Sequence, residues 1–156
     1  MNKFELFLEN AKLLNNKFNI IPLLYGSLGL EVLTGEDLNS DDIDVLIPEE
    51  YLYSNKWDEF KKFLEKNNYE LIDLHEHTFL FNNIKISFAS IENLEPFANI
   101  KLDEIVHVTF SDIVYKLLSL EQYLEVYKKS SLDGYRINKK EKQDNKKIEF
   151  IKSKLV

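Results

Sequence analysis

Apolar residues recur at helical spacing at the start of the chain, where Phe4, Phe7, Ala11, Leu14 and Phe18 trace one face of an amphipathic helix of about four turns. Ile20 to Tyr25 is instead a short continuous apolar run that stops at Gly26, the pattern of a strand buried on both faces. Leu30, Leu33 and Thr34 then fit a second, short helix closed by Gly35, with Ser27 as its N-cap. Ile43 to Ile47 is the next apolar strand, stopped by Pro48. Trp57, Phe60, Phe63 and Leu64 mark a third helix that ends around Asn67-Asn68.

The pattern then changes to an antiparallel ribbon. Glu70 to Leu74, His77 to Phe81 and Ile84 to Ala89 read as strands, and Asn82-Asn83 is a two-residue hairpin turn of residues that tolerate positive φ. Beyond Asn99 a short strand or loop is expected at Ile105 to Val108. A helix should follow, capped by Thr109 or Ser111, with Ile113, Leu117, Leu120, Leu124 and Tyr127 on one face. The last helix, about Lys139 to Leu155, is strongly charged and carries a thin stripe of Ile148, Ile151 and Leu155. Nothing repeats, and no Pro- or Gly-rich linker interrupts the chain. The expectation is a single α+β domain over residues 1–156, an α/β-type sandwich in which helices flank a mixed sheet. Its core spans about 20–100 and a C-terminal helical segment about 110–155.

Composition narrows the setting. At 156 residues and 44% hydrophobic the chain can bury a core of its own. Runs of about eighteen apolar residues are missing, and acids interrupt the apolar pattern at the N-terminus, so neither a membrane span nor a signal peptide is expected. The absence of cysteine excludes disulfides and thiolate metal sites and suits a reducing, cytoplasmic location. The net charge of -7 divides unevenly: residues 1–127 carry 23 acids and 10 bases, residues 128–156 carry 4 acids and 10 bases. A basic tail against an acidic body reads as a solvated helix or as a set of phosphate contacts. The body is too acidic for general nucleic-acid binding.

The chemistry gathers in LLYGSLGLEVLTGEDLNSDDIDVLIP, Leu23 to Pro48. Side chains alternate along a strand, so Asp42 and Asp44 share a side roughly 6 to 7 Å apart while Ile43 faces the other way. Two such charges repel by about 2 to 3 kcal/mol at an effective dielectric near 20. A hard divalent cation offsets that cost, and two carboxylates completed by water and substrate phosphate describe a magnesium site, with manganese as the substitute. Gly26-Ser27 supplies the complementary half, because glycine admits close backbone approach and amides at a helix start favour phosphate. Read without that context, the acids are solvated loop residues and Ser27 is a cap.

Gly26-Ser27 followed by Ser40-Asp-Asp-Ile-Asp-Val-Leu-Ile resembles the signature of the nucleotidyltransferase superfamily related to DNA polymerase beta. The similarity is strongest to its small members, such as lincosamide and aminoglycoside nucleotidyltransferases and nucleotidyltransferase-like toxins. SDIVYKLLSL and then DGYRINKKEKQDNKKI, Ser111 to Ile148, are similar in order and character to the family's later helix and basic element. The resemblance implies that Asp42 and Asp44 bind magnesium and that Gly26 and Ser27 hold the phosphates of a nucleoside triphosphate, ATP among them. It also implies that an acceptor hydroxyl on a small molecule, a protein or an RNA attacks the α-phosphate and releases pyrophosphate.

The family's third carboxylate, on a later strand, aligns with Ser87, a hydroxyl that is no base at neutral pH. Asp73 on the neighbouring strand, Glu76 in the next turn, or a site with two carboxylates are the alternatives. A fold that binds a nucleotide or a partner protein without transfer is another. Lys116, Arg136 and Lys140, with Lys139 and Lys142, are candidate phosphate contacts, weighed against snorkelling or solvated lysines. His75, His77 and His107 make a poor zinc set, and a turn or an acceptor-pocket base are their other readings. Tyr115, Tyr123, Tyr127, Tyr135 and Trp57 fit core positions better than base stacking.

Overall fold

Ile43–Ile47 is apolar on both sides except at Asp44, and it forms a central strand of one mixed sheet. The computed structural model describes residues 1–132 and 134–155, with side chains described outside 134–143. In chain order the elements are α1 (Lys3–Phe18), β1 (Leu23–Tyr25), α2 (Gly26–Thr34), β2 (Ile43–Ile47), α3 (Glu50–Tyr53), α4 (Lys56–Lys66), β3 (Glu70–Asp73), β4 (Thr78–Phe81) and β5 (Ile84–Ser90). They continue with α5 (Leu94–Ala98), β6 (Val106–Phe110), β7 (Ile113–Leu117), α6 (Leu120–Leu132) and α7 (Gly134–Leu155). No helix among the described residues is long and apolar enough to cross a membrane.

The described residues form two compact units, the first made of Met1–Glu92 and Val106–Leu117, the second of Asn93–Ile105 and Leu118–Val156. In the first, the strands run in the order β3-β4-β5-β2-β1-β7-β6. β2 is antiparallel to β1 and parallel to β5, and β7 is parallel to β1. Asn82 and Asn83, both at positive φ, turn β4 into β5 with Phe81 opposite Ile84, as their chemistry predicts. Leu24, Ile43, Val45, Ile47, Phe79, Ile86, Phe88 and Tyr115 share one side of the sheet and pack in one core with Leu6, Phe7, Ala11 and Leu14 of α1 and Phe60 and Leu64 of α4. One sheet face is thereby committed to the core. The alternate residues, Tyr25, Asp44, Ser87 and Lys116 among them, belong to the opposite face.

The expected helix from Ile113 begins only at Leu120. Residues 113–117 are β7, half of a hairpin with β6 around Ser111 at φ 57. Ile-Val-Tyr favours a pleated, half-buried surface, and alternating burial on both sides of the strand satisfies Ile113, Tyr115 and Leu117 together. The helical spacing from Ile113 to Tyr127 is real only from α6 onward, where the Ser119 hydroxyl accepts from the Gln122 amide and Gln122 Oε1 accepts from the Ser119 amide. The likeness of SDIVYKLLSL to a family helix therefore fails everywhere but at its last residue, Leu120. In the second unit α6 and α7 pack side by side, with Tyr123 and Tyr127 stacked at 6.0 Å and Ile151 fully buried.

Candidate active site

Five residues stand in one row across the sheet. Tyr25 of β1 pairs with Asp44 of β2, Asp44 with Ser87 of β5, Ser87 with Thr78 of β4, and Thr78 with Asp73 of β3. Paired residues point to the same face, so this row is the floor of the site. Asp44 is half-buried in it and Asp42, just before the strand, is exposed. The two carboxylates stand on either side of buried Ile43 in the chain, but Asp42 lies in a bend before β2, outside the strand whose alternation was expected to set it on the side of Asp44.

Gly26 closes on Asp44 from above. Tyr25 is extended, at φ -112 and ψ -179, and Gly26 at φ +66 bends the chain at once into α2. A Cβ built on Gly26 would lie 2.5 Å from Oδ2 of Asp44 and 3.4 Å from its Cβ. Only a glycine meets both demands, the left-handed φ and the approach of backbone to carboxylate. The helix thus starts at Gly26 with Tyr25 at the N-cap, whose side chain makes no capping bond to the helix, and half-buried Ser27 lies in the first turn instead of at the cap. The expected cap position fails because the sharp turn comes one residue earlier. No acid of α2 itself occupies that first turn; the carboxylate that stands at the positive end of the helix is that of Asp44.

Ser87 stands beside Asp44, where a third carboxylate was looked for, and its hydroxyl is 2.7 Å from that of Thr78. Thr78 did not enter the sequence-based site. Its signal was there: Thr78 and Ser87 lie symmetrically about Asn82-Asn83, so a two-residue hairpin pairs them. Asp73 shares the row but is three strands from Asp44, about 14 Å at the usual strand spacing. It is exposed, and its Oδ1 accepts from the Glu76 amide, closing the turn to β4. Glu76 is also exposed, next to His75 at 3.7 Å. Neither acid is brought to the pair, and among the described residues no group of three His, Asp or Glu converges on a metal position.

Lys116 lies on the same face as Asp44, opposite Leu23 of β1. From strand spacing and rise its Cα is about 12 Å from that of Asp44. The ammonium is half-buried; burial pulls its pKa below the ordinary lysine value, and nearby Glu92 partly restores it. The side chains of Arg136, Lys139, Lys140 and Lys142 lie outside the described residues. His77 is buried, its ring edge-on to Trp57 and Tyr53 at 5.0 and 5.2 Å, and so it belongs to packing beneath the turn. His107 is exposed on β6. A cavity of about 670 Å³ opens beside the loop that leads to Asp42, lined in part by Glu31, Glu36, Asp37 and Asp41.

No family model matches the chain. Over 151 residues it is 44% identical to the uncharacterized protein YnaI of Bacillus subtilis (strain 168), covering 97% of this chain and 96% of that one. Its structure is similar to that of an antigenic nucleotidyltransferase-like protein from Paracoccidioides brasiliensis, with a TM-score of 0.63 and 15% identity over 94% of this chain and 73% of that one. It is also similar to the solution structure of the antibiotic-resistance factor ANT(2'')-Ia, with a TM-score of 0.63 and 11% identity over 100% of this chain and 86% of that one.

Proposed function

The chain belongs to the family of Bacillus subtilis YnaI and has the nucleotidyltransferase fold, and on that premise we propose that it binds a magnesium-nucleoside triphosphate and transfers the nucleoside monophosphate to an acceptor oxygen. The observation that carries this reading is the fit of Gly26 over Asp44, which leaves no room for a side chain between a helix start and a carboxylate. Asp42 and Asp44 offer oxygen ligands of the kind a hard cation takes together with substrate phosphate. Magnesium, or manganese in its place, would supply neutralisation of the triphosphate charge.

The protein's own part is placement. Asp42 and Asp44 fix one side of the triphosphate, and the amides of the first turn of α2, from Gly26 and Ser27 on, fix the other. Lys116, on the same sheet face, supplies positive charge toward the leaving pyrophosphate. The attacking oxygen then meets the α-phosphate in line, and the Pα–O bond to pyrophosphate breaks. Orientation accounts for most of the gain, since little covalent chemistry falls to side chains.

A second reading follows from Ser87: the same pocket holds the nucleotide without transfer. Two measurements separate the readings. Calorimetry with magnesium and a non-hydrolysable triphosphate should show binding that Asp44→Ala abolishes; unchanged binding would refute both. Incubation of labelled triphosphates with cell lysate and the protein should release pyrophosphate for the first reading and none for the second.

A further inference from the structure

Resting on the nucleotide-transfer reading above, we propose that the acceptor reaches this site already ionised, as a phosphate or carboxylate oxyanion, and that Ser87 and Thr78 receive it. The hydroxyls of these two residues are 2.7 Å apart, in register with Asp44 and on its face of the sheet. One of their two protons is consumed in that bond. Either hydroxyl can donate in that bond; when Thr78, only 7% exposed, is the donor, the proton of half-buried Ser87 is left for a bound group. An alcohol acceptor must lose a proton as it attacks, and hydroxyl side chains do not take one at neutral pH. The neighbours of Asp44 in the row are Tyr25 and Ser87, and Asp73 at its far end is engaged by the Glu76 amide. Within this row, the position beside Asp44 therefore gives a hydrogen bond and accepts no proton.

An oxyanion needs what this position gives. Its oxygen attacks the α-phosphorus directly: the new O–Pα bond forms, the bond from Pα to the bridging oxygen breaks, and its electron pair leaves on pyrophosphate. No proton leaves the acceptor. The product is a phosphoanhydride from a phosphate monoester, or an acyl-nucleotide from a carboxylate.

The test starts with calorimetry of the full chain with magnesium and a non-hydrolysable triphosphate, so that loss of the nucleotide site registers by itself. Pyrophosphate release is then followed with glucose 6-phosphate, with acetate and citrate, and with glucose and glycerol as proton-bearing acceptors. Release with oxyanions should exceed that with the polyols by on the order of a hundredfold, the usual lower worth of a general base. It should also be flat from about pH 7 to about pH 9, where phosphate monoesters are fully ionised. Hydroxylamine distinguishes the two sources, because it traps an acyl-nucleotide as hydroxamate and leaves a phosphoanhydride intact. Ser87→Ala should slow the oxyanion reaction, and Ser87→Asp should exchange preference toward the polyols by adding a base and a repelling charge. Polyols turned over as fast as oxyanions, or magnesium-nucleotide binding with turnover of neither class, would overturn the inference and leave the nucleotide site standing. No binding would remove both.

Discussion

Gly26 and Asp44 stand so close that an ideal Cβ on the glycine would lie 2.5 Å from the carboxylate Oδ2, at a backbone φ of +66. Gly26→Ala must either rotate the carboxylate away or shift the start of α2. The left-handed backbone alone costs about 1 to 3 kcal/mol for a non-glycine residue. The variant should unfold at lower temperature and lose magnesium-nucleotide binding by calorimetry. Adding Asp44→Ala to it should cost less stability than Asp44→Ala costs alone, because the second substitution also removes the clash made by the first. Strict additivity in that cycle would mean the two residues do not collide.

Asn15 of α1 completes the sheet where β1 is too short. Its Oδ1 accepts from the Val114 amide at 2.9 Å, and its Nδ2 donates to the Val114 carbonyl at 3.0 Å and to the Ile20 carbonyl at 2.8 Å. Lys116, the next residue on that side of β7, already bonds the Pro22 carbonyl, so Asn15 stands in for a missing strand residue. Asn15→Ala leaves part-buried backbone groups unmatched and should destabilise by about 1 to 3 kcal/mol in urea titration. Asn15→Asp, which keeps the acceptor for the Val114 amide but sets a carboxylate oxygen against the Val114 and Ile20 carbonyls, should recover none of that.

These two pairs show what could be read from the chain and what could not. The turn at Gly26, the helix after it and the strand that carries Asp44 were legible because a turn, a helix start and an apolar run are local, while the cap at Ser27 and the placing of Asp42 in the strand were each off by one residue. The pairing of Thr78 with Ser87 was legible through Asn82-Asn83, which sets the β4–β5 register, whereas Ser87 beside Asp44 is a β2–β5 pairing that no turn sets and that only the family resemblance suggested. β7 was not, because Ile113, Leu117, Leu120 and Leu124 match a helix as well as Ile113, Tyr115 and Leu117 match a strand. The decision came from β1 and from Asn15, both about a hundred residues distant. Four- and five-residue helices such as α3 and α5 are too short to show a period at all.

His77 links pH to stability. Its ring is packed edge-on by Trp57 and Tyr53, it hydrogen-bonds the Leu52 backbone, and burial lowers its pKa below the usual histidine value. The unfolded chain, with histidine near pH 6.5, then binds more protons than the folded one just below that pH. The His77 contribution should be complete above about pH 6.5 and decline as the solution is acidified through the lower folded value. Urea midpoints from about pH 5 to about pH 8 will show the decline. His77→Asn, chosen because Asn tolerates the φ of 51 at this position, should be less stable at neutral pH and show a shallower decline. An unchanged slope would assign the acid sensitivity to carboxylates.

Lys116 offers a separation of function from stability. A half-buried ammonium whose pKa is pulled down by desolvation is a cost to the fold at neutral pH, only partly offset by Glu92. A lysine kept for packing would be missed when shortened, whereas one kept for phosphate would be missed only by the ligand. Lys116→Met preserves the aliphatic stem and removes the charge. The variant should be as stable as the parent, or more so by up to about 1 kcal/mol, since both states of the parent carry the charge and only the folded one desolvates it. Its affinity for a triphosphate should fall about tenfold, the worth of one charge-assisted hydrogen bond of about 1.5 kcal/mol, while its affinity for the monophosphate changes little. Equal losses for the two nucleotides, or a loss of stability with neither, would place Lys116 outside the phosphate site and leave it as a snorkelling strand residue.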